Sequence, residues 1–214
     1  MGIHEMKNYI QKYLKETAQI CELICQKEIA NVTDILLETK DNGGRLFILG
    51  LGGSAGNASH AVNDFRKIAQ IETYAPTDNV SELTAWTNDN GFEFIFTKWL
   101  ETSKLGKSDT ILILSVGGGS DTTSQNLVLA MEYAKSVNAK VTAIVGRNGG
   151  KARLIADASV LIPTVHQERI TPHAEGWQGI VWHLVVNAIC ELSADFSVKN
   201  NISRSEFSTS PEIQ

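Results

Sequence analysis

No stretch of this chain approaches the ~18 consecutive apolar residues of a membrane-spanning helix, and none is expected to cross a membrane. The opening segment, MGIHEMKNYIQKYLKE, is polar. It lacks the apolar centre of a signal peptide and carries Met6 where a myristoylation pattern requires Ser or Thr. Basic residues are not in excess: 19 Lys and Arg stand against 24 Asp and Glu, for a net charge of −5. That balance argues against a nucleic-acid partner, whose phosphate backbone selects a basic face. It leaves room for a small phosphorylated ligand held by local amides and dipoles. Cysteine is scarce, with only Cys21, Cys25 and Cys190. An odd, scattered set reads as reduced thiols in a cytoplasmic protein, and Cys21 and Cys25 lack nearby partners for a metal. No Gly-Lys-Ser or Gly-Lys-Thr follows the glycine turns, as a nucleotide P-loop requires, and the chain has no internal repeat.

What is present suits one globular domain: 214 residues, 43% hydrophobic and 20% charged. Residues 3–41 carry Ile10, Leu14, Cys21, Ile24, Ile29, Val32 and Leu36 near helical spacing and end in KDNGG. They predict one long N-terminal helix that packs on its own core and on a partner subunit. Strand and helix signals then alternate. RLFILGLG (45–52), DTILILSVGGG (109–119), AKVTAIVGRNGG (139–150) and ASVLIPT (158–164) contain buried strands, the second and third ending in glycines. Residues 54–70, 80–89, 93–104, 124–137 and 174–196 read as helices, with a short one at KARLIAD. This alternation predicts an α/β fold with a parallel sheet covered on both faces, its ligand at the carboxyl ends of the strands. Residues 1–197 read as one domain including the helical extension 1–41, and 198–214 as a polar tail that is mobile or lies on a neighbouring subunit.

Two strands run into glycine and serine, GLGGSAGNAS and LSVGGGSDTTS. Gly52, Gly53, Gly117, Gly118 and Gly119 let backbone N–H groups approach an anion, a helix N-terminus adds a favourable dipole, and Ser54, Ser115 and Ser120 supply hydroxyls. Each turn alone reads as a tight strand-to-helix connection with serine as N-cap; the pair points to anion binding. A dinucleotide fingerprint is weaker, because its third glycine falls on Ala55, although Glu72 stands about 20 residues on. Behind the first turn His60 and Asp64 are four apart and share a helix face, a spacing that suits an acid–base pair or a divalent ion.

Together GLGGSAGNASH, TNDNGFE, SVGGGS and VGRNGGK resemble the sugar isomerase (SIS) fold, and within it the phosphoheptose isomerases, over most of the chain. The resemblance implies a flavodoxin-like three-layer α-β-α domain with a five-stranded parallel sheet, assembled as a homotetramer. It implies that Ser54, Ser115 and Ser120 hold a sugar phosphate and that Asp89 in TNDNGF is a candidate sugar contact, a turn cap being the other reading. The family's catalytic glutamate falls on Asp64, its helical histidine on His183, and a glutamine eight residues earlier on Glu175. Zinc, which some members hold, would take His60, Asp64, Glu175 and His183. Eight helical residues rise ~12 Å, so Glu175 shares an ion with His183 only if the last helix starts late, after Pro172; Gln178 is the reserve ligand. Asp64, Glu175 and Gly117, where the family has Glu, Gln and a phosphate-binding Ser, mark a divergent branch.

The function implied is conversion of sedoheptulose 7-phosphate to D-glycero-D-manno-heptose 7-phosphate through an enediol. Asp64, His183 and Glu175 are the catalytic candidates. The alternatives are an isomerase for another phosphosugar, and a non-catalytic module that binds a sugar phosphate or a replication initiator protein.

Overall fold

The computed structural model describes the backbone of residues 3–206 and the side chains of 3–193. Three apolar segments form the centre of the sheet: β1 (Arg45–Gly50), β3 (Thr110–Ser115) and β4 (Lys140–Val145). Their side chains are buried on both faces, as a parallel sheet between two helical layers requires. β5 (Ala158–Leu161) and β2 (Glu72–Tyr74) close the edges in the order β2-β1-β3-β4-β5, all parallel. The result is a five-stranded, three-layer α-β-α fold.

Alternate residues of β1 separate the two cores. Leu46 and Ile48 face α2 (Gln26–Asp41), α3 (Gly53–Lys67) and α8 (Ile170–Glu206), packing with Leu36, Phe65 and Trp182. Phe47 and Leu49 face α5 (Ile95–Thr102), α6 (Gln125–Ser136) and α7 (Gly150–Ile155), packing with Phe96, Leu127 and Ala152. α4 (Val80–Asn90) lies outside this second layer and buries none of its residues fully.

The N-terminal region is two helices rather than one. α1 (Ile3–Leu23) stops before Cys25, which is extended at φ −79°, ψ 106° and caps α2 without a side-chain hydrogen bond. The apolar stripe runs across the break because the same spacing serves both helices. α1 buries only Glu16 and Ile20. It is held to α8 by the Glu16 carboxylate, which accepts two hydrogen bonds from Arg169 (2.8 and 2.6 Å) and lies 3.0 Å from His173 Nε2. The Arg169 hydrogen bonds, with help from His173, hold Glu16 well below its ordinary 4.5, down to about 2, against the opposing effect of burial.

The last helix starts at Ile170, four residues before the expected position, and continues to Glu206. Pro172 is its third residue. The first-turn N–H groups have no helical partner, so proline fits there without breaking the helix. The expected tail therefore begins inside this helix, and 207–214 lie outside the described residues. No helix among the described residues is long and apolar enough to cross a membrane. The three cysteines are free thiols.

Candidate active site

The chain leaves β1 in one direction to form β2 and returns to the other side to form β3, so the strand order reverses between β1 and β3. The loops after these two strands diverge there and leave a crevice at the carboxyl edge of the sheet. A cavity of about 500 Å³ fills it, lined by Ser54 from the β1 loop, by Ser115, Ser120, Thr123 and Ser124 from the β3 loop, and by Arg147 and Thr171.

Local hydrogen bonds aim these hydroxyls. Ser115 Oγ accepts from the Gly118 N–H at 3.0 Å, and Ser120 Oγ accepts from the N–H groups of Thr122 and Thr123 at 3.3 and 3.0 Å. A hydroxyl that accepts from the backbone keeps its own proton to donate, so both serines are equipped as donors to an anion. Ser54, 2% exposed, donates to Gln178 Oε1 at 3.0 Å. Asn57 Nδ2 donates to the same oxygen at 3.1 Å and to the Glu175 carbonyl at 2.9 Å. The side chain considered as a reserve metal ligand thus holds the start of α3 in place.

The glycines divide into two groups. Gly117 and Gly119 line the cavity. Gly118, at φ +71°, does not; its carbonyl accepts the Ala152 N–H at 2.8 Å while that of Gly119 accepts the Lys151 N–H at 3.0 Å. A Cβ on Gly118 would stand 1.9 Å from the Gly149 oxygen, and one on Gly150 2.2 Å from the Gly117 oxygen. The loops after β3 and β4 interlock backbone to backbone, which only glycine allows. Gly52, Gly53 and Asp89 are outside the cavity lining. Asp89 is exposed at the end of α4 and accepts from Asn88 at 2.8 Å.

Two turns along α3 from Ser54, a second group of side chains converges. His60, Asp64 and His183 each offer one ligand atom within 4.8 Å of the others. Asp64 is 9% exposed; its Oδ2 lies 3.4 Å from His183 Nδ1, and its Oδ1 accepts from Asn63 at 2.7 Å. Buried Trp182 backs both imidazoles, with ring centroids 3.6 Å from His183 and 4.9 Å from His60. Glu175 is not in this cluster. Because α8 starts at Ile170, Glu175 is fully helical, and ~12 Å of rise separates it from His183. Its carboxylate instead stands over the start of α3, where a Cβ on Gly53 would meet it at 2.5 Å. His173 is likewise engaged elsewhere, 4% exposed, bound to Glu16 and stacked on Tyr13 at 4.5 Å.

Sequence reasoning missed Thr123, Ser124, Arg147 and Thr171 as cavity residues. For Arg147 a signal existed: VGRNGG ends a parallel strand in glycine, as the other two motifs do.

A family model described as SIS domain matches residues 9–146. A phosphoheptose isomerase of Aquifex aeolicus is 30% identical over 197 residues, covering 88% of this chain and all of the relative. One from Helicobacter pylori is 30% identical over 150 residues, covering 68% of this chain and 76% of the relative. The solved structure of a phosphoheptose isomerase from Francisella tularensis superposes with a TM-score of 0.76 at 21% identity, covering 89% of this chain and 99% of that one, a likeness of fold.

Proposed function

Given that the chain belongs to the SIS-domain family, and within it to the phosphoheptose isomerases, we propose that it isomerises sedoheptulose 7-phosphate to D-glycero-D-manno-heptose 7-phosphate. Membership makes it a phosphosugar isomerase; the identity of the sugar is the proposal. The observation that carries the reading is that one helix serves both ends of a site. α3 opens at the hydroxyl-lined cavity with Ser54 and, two turns later, presents His60 and Asp64 to His183.

Aldose–ketose isomerisation needs an anchor, a base for the C–H proton and an acid for the carbonyl oxygen. Ser115 and Ser120 donate to the phosphate, and Ser54 joins them when its hydroxyl turns from Gln178. This anchoring converts remote binding energy into alignment at the reacting carbons. Asp64 takes the proton from C1 and returns it at C2. His183 protonates the C2 carbonyl oxygen and removes the proton from the C1 hydroxyl. Asn63 and Trp182 fix the orientations of this pair.

His60, Asp64 and His183 also fit a divalent ion. Two imidazole nitrogens and a carboxylate oxygen give three protein ligands with a position left open. Zinc bound there would polarise the substrate's carbonyl oxygen, and Asp64 would then serve as ligand rather than base. Glu175, over the start of α3, stands apart from these three ligands.

The test is direct. Purified protein, with and without added zinc, is mixed with sedoheptulose 7-phosphate and followed by NMR for aldose resonances. Asp64→Asn and His183→Ala are expected to lower kcat roughly 10²- to 10⁴-fold; absence of the aldose from wild-type protein refutes the reading. A second reading, an isomerase for a different phosphosugar, is favoured by Asp64, one methylene shorter than the family's glutamate. A panel of ketose phosphates separates the two, and phosphosugar binding without turnover of any would indicate a non-catalytic module. Residues 1–197 are read as one domain. A homotetramer is supported by the exposed apolar side chains of α1 and by Ile180 and Leu184 on α8. Free thiols and a phosphorylated metabolite support a cytoplasmic location.

A further inference from the structure

Among the described residues, five other than glycine have positive φ. Lys104 and Asn138 follow α5 and α6 where the next N–H bonds back into the helix (Leu105 to Leu100, Ala139 to Ala134), and Gln70 follows α3 similarly. These are ordinary helix endings. The other two, Ser124 and Arg147, both line the cavity.

Arg147 sits at φ +52° in a turn closed by the Gly149 N–H to the Gly146 carbonyl at 2.9 Å. A left-handed conformation is costly for a long side chain and persists where the surroundings impose it. Here they do: Gly146 packs so closely on α8 and the β3 loop that a Cβ would be 3.0 Å from Ala174 and 3.1 Å from the Val116 oxygen. The turn carries the arginine side chain over Gly117, whose own Cβ would lie 3.8 Å from Arg147 Cδ. Among the described residues Arg147 is the one charged side chain lining the cavity, and its guanidinium has no ion-pair or hydrogen-bond partner. An unpaired fork of donors at the rim of a hydroxyl-lined pocket matches a phosphate monoester.

We infer that Arg147 is a phosphate-binding residue of this site, supplying by charge the contact that a hydroxyl at position 117 would otherwise make. The inference deepens the isomerase reading and rests on its anion subsite. Arg147 anchors the non-reacting end of the substrate, so its removal acts on binding more than on the chemical step.

Inorganic phosphate binding is measured by calorimetry, alongside turnover of sedoheptulose 7-phosphate. Arg147→Gln is expected to weaken phosphate binding and raise KM by roughly 10- to 100-fold, with a smaller change in kcat. The wild type's phosphate affinity falls with added salt, and the variant's falls less. Gly117 has ordinary φ and its Cβ position meets only the 3.8 Å contact with Arg147 Cδ, so Gly117→Ser in the Arg147→Gln background is expected to recover part of the loss. Arg147→Gly, relieved of left-handed strain, is expected to unfold no lower than wild type while binding phosphate as weakly as Arg147→Gln. Wild-type protein that fails to bind inorganic phosphate, or an Arg147→Gln variant that binds it within about twofold of wild type, overturns the inference. Turnover that is indifferent to Arg147 removes this inference and leaves the isomerase reading standing; Arg147-dependent phosphate binding without turnover does the reverse.

Discussion

The interlock between the β3 and β4 loops can be tested by adding one methyl group. In Gly118→Ala the new Cβ would lie 1.9 Å from the Gly149 carbonyl oxygen and 2.6 Å from its carbon, against 3.4–4 Å for ordinary contact. Both neighbours are backbone, so no side chain can swing away. The loops must separate, and the hydrogen bonds from Ala152 N–H to Gly118 and from Lys151 N–H to Gly119 are lost or stretched. Left-handed strain contributes ~1 kcal/mol, the overlap ~1–3 kcal/mol, and each weakened hydrogen bond ~1 kcal/mol. The destabilisation is therefore about 4–6 kcal/mol, or roughly 12–18 °C in Tm for a chain of this length. Gly43→Ala is the control. Gly43 has a similar φ of +63° but nothing within 4 Å of its Cβ position, so only strain applies, ~1 kcal/mol and about 2–4 °C. Scanning calorimetry of the two variants beside wild type decides the matter. A Gly118→Ala protein that loses no more stability than Gly43→Ala would show that the loops are not locked together.

Other consequences can be measured independently. Glu16→Gln is expected to destabilise the protein by about 2 kcal/mol at pH 7, because it removes a carboxylate that accepts from Arg169 and contacts His173. Glu16 is depressed in the fold, so its contribution is complete above pH 4.5 and is lost as pH falls toward about 2. Denaturant titrations across that window should slope for wild type and flatten for the variant, and equal slopes would rule out the clamp. Asp64 and His183 acting as an unassisted acid–base pair predict full activity in protein shown to be metal-free; loss of turnover on chelation, with recovery on zinc and close to one ion per subunit by elemental analysis, would instead make Asp64 a ligand. Leu14→Asp places a charge in the exposed stripe of Ile3, Ile10 and Leu14 (77%, 50% and 63% exposed). On the proposed homotetramer, light scattering of the variant should show fewer than four chains, and a mass equal to that of wild type would remove α1 from the interface.

The central strands were legible because β1, β3 and β4 are buried on both faces and therefore read as unbroken apolar runs. β2 was missed: three residues at the sheet edge, two of them exposed, leave no such run. The break between α1 and α2 was hidden because Cys21, Ile24, Cys25 and Ile29 fit one stripe or two. Pro172 suggested a late start to the last helix but occupies its first turn, so the condition under which Glu175, a candidate from family resemblance, would share an ion with His183 is not met. His60 and Asp64 were legible from local spacing. Their meeting with His183, more than a hundred residues away, depends on how α3 and α8 pack and came from family resemblance. VGRNGG marked the loop of Arg147, but its left-handed backbone and its place over Gly117 are features that a residue pattern does not display.

Because Ser54 and His60 stand on the same uninterrupted helix, α3 acts as a ruler. Six residues set them ~9 Å apart along a rod that neither bends nor slides. On the proposed isomerase reading, the number of residues between them sets the length of sugar that fits from one end to the other. Inserting one residue there would lengthen the ruler by only ~1.5 Å but turn His60 through about 100°, away from His183. The loops after β1 and β3 can therefore change one residue at a time, whereas the gauge in α3 tolerates substitution but not a change of length.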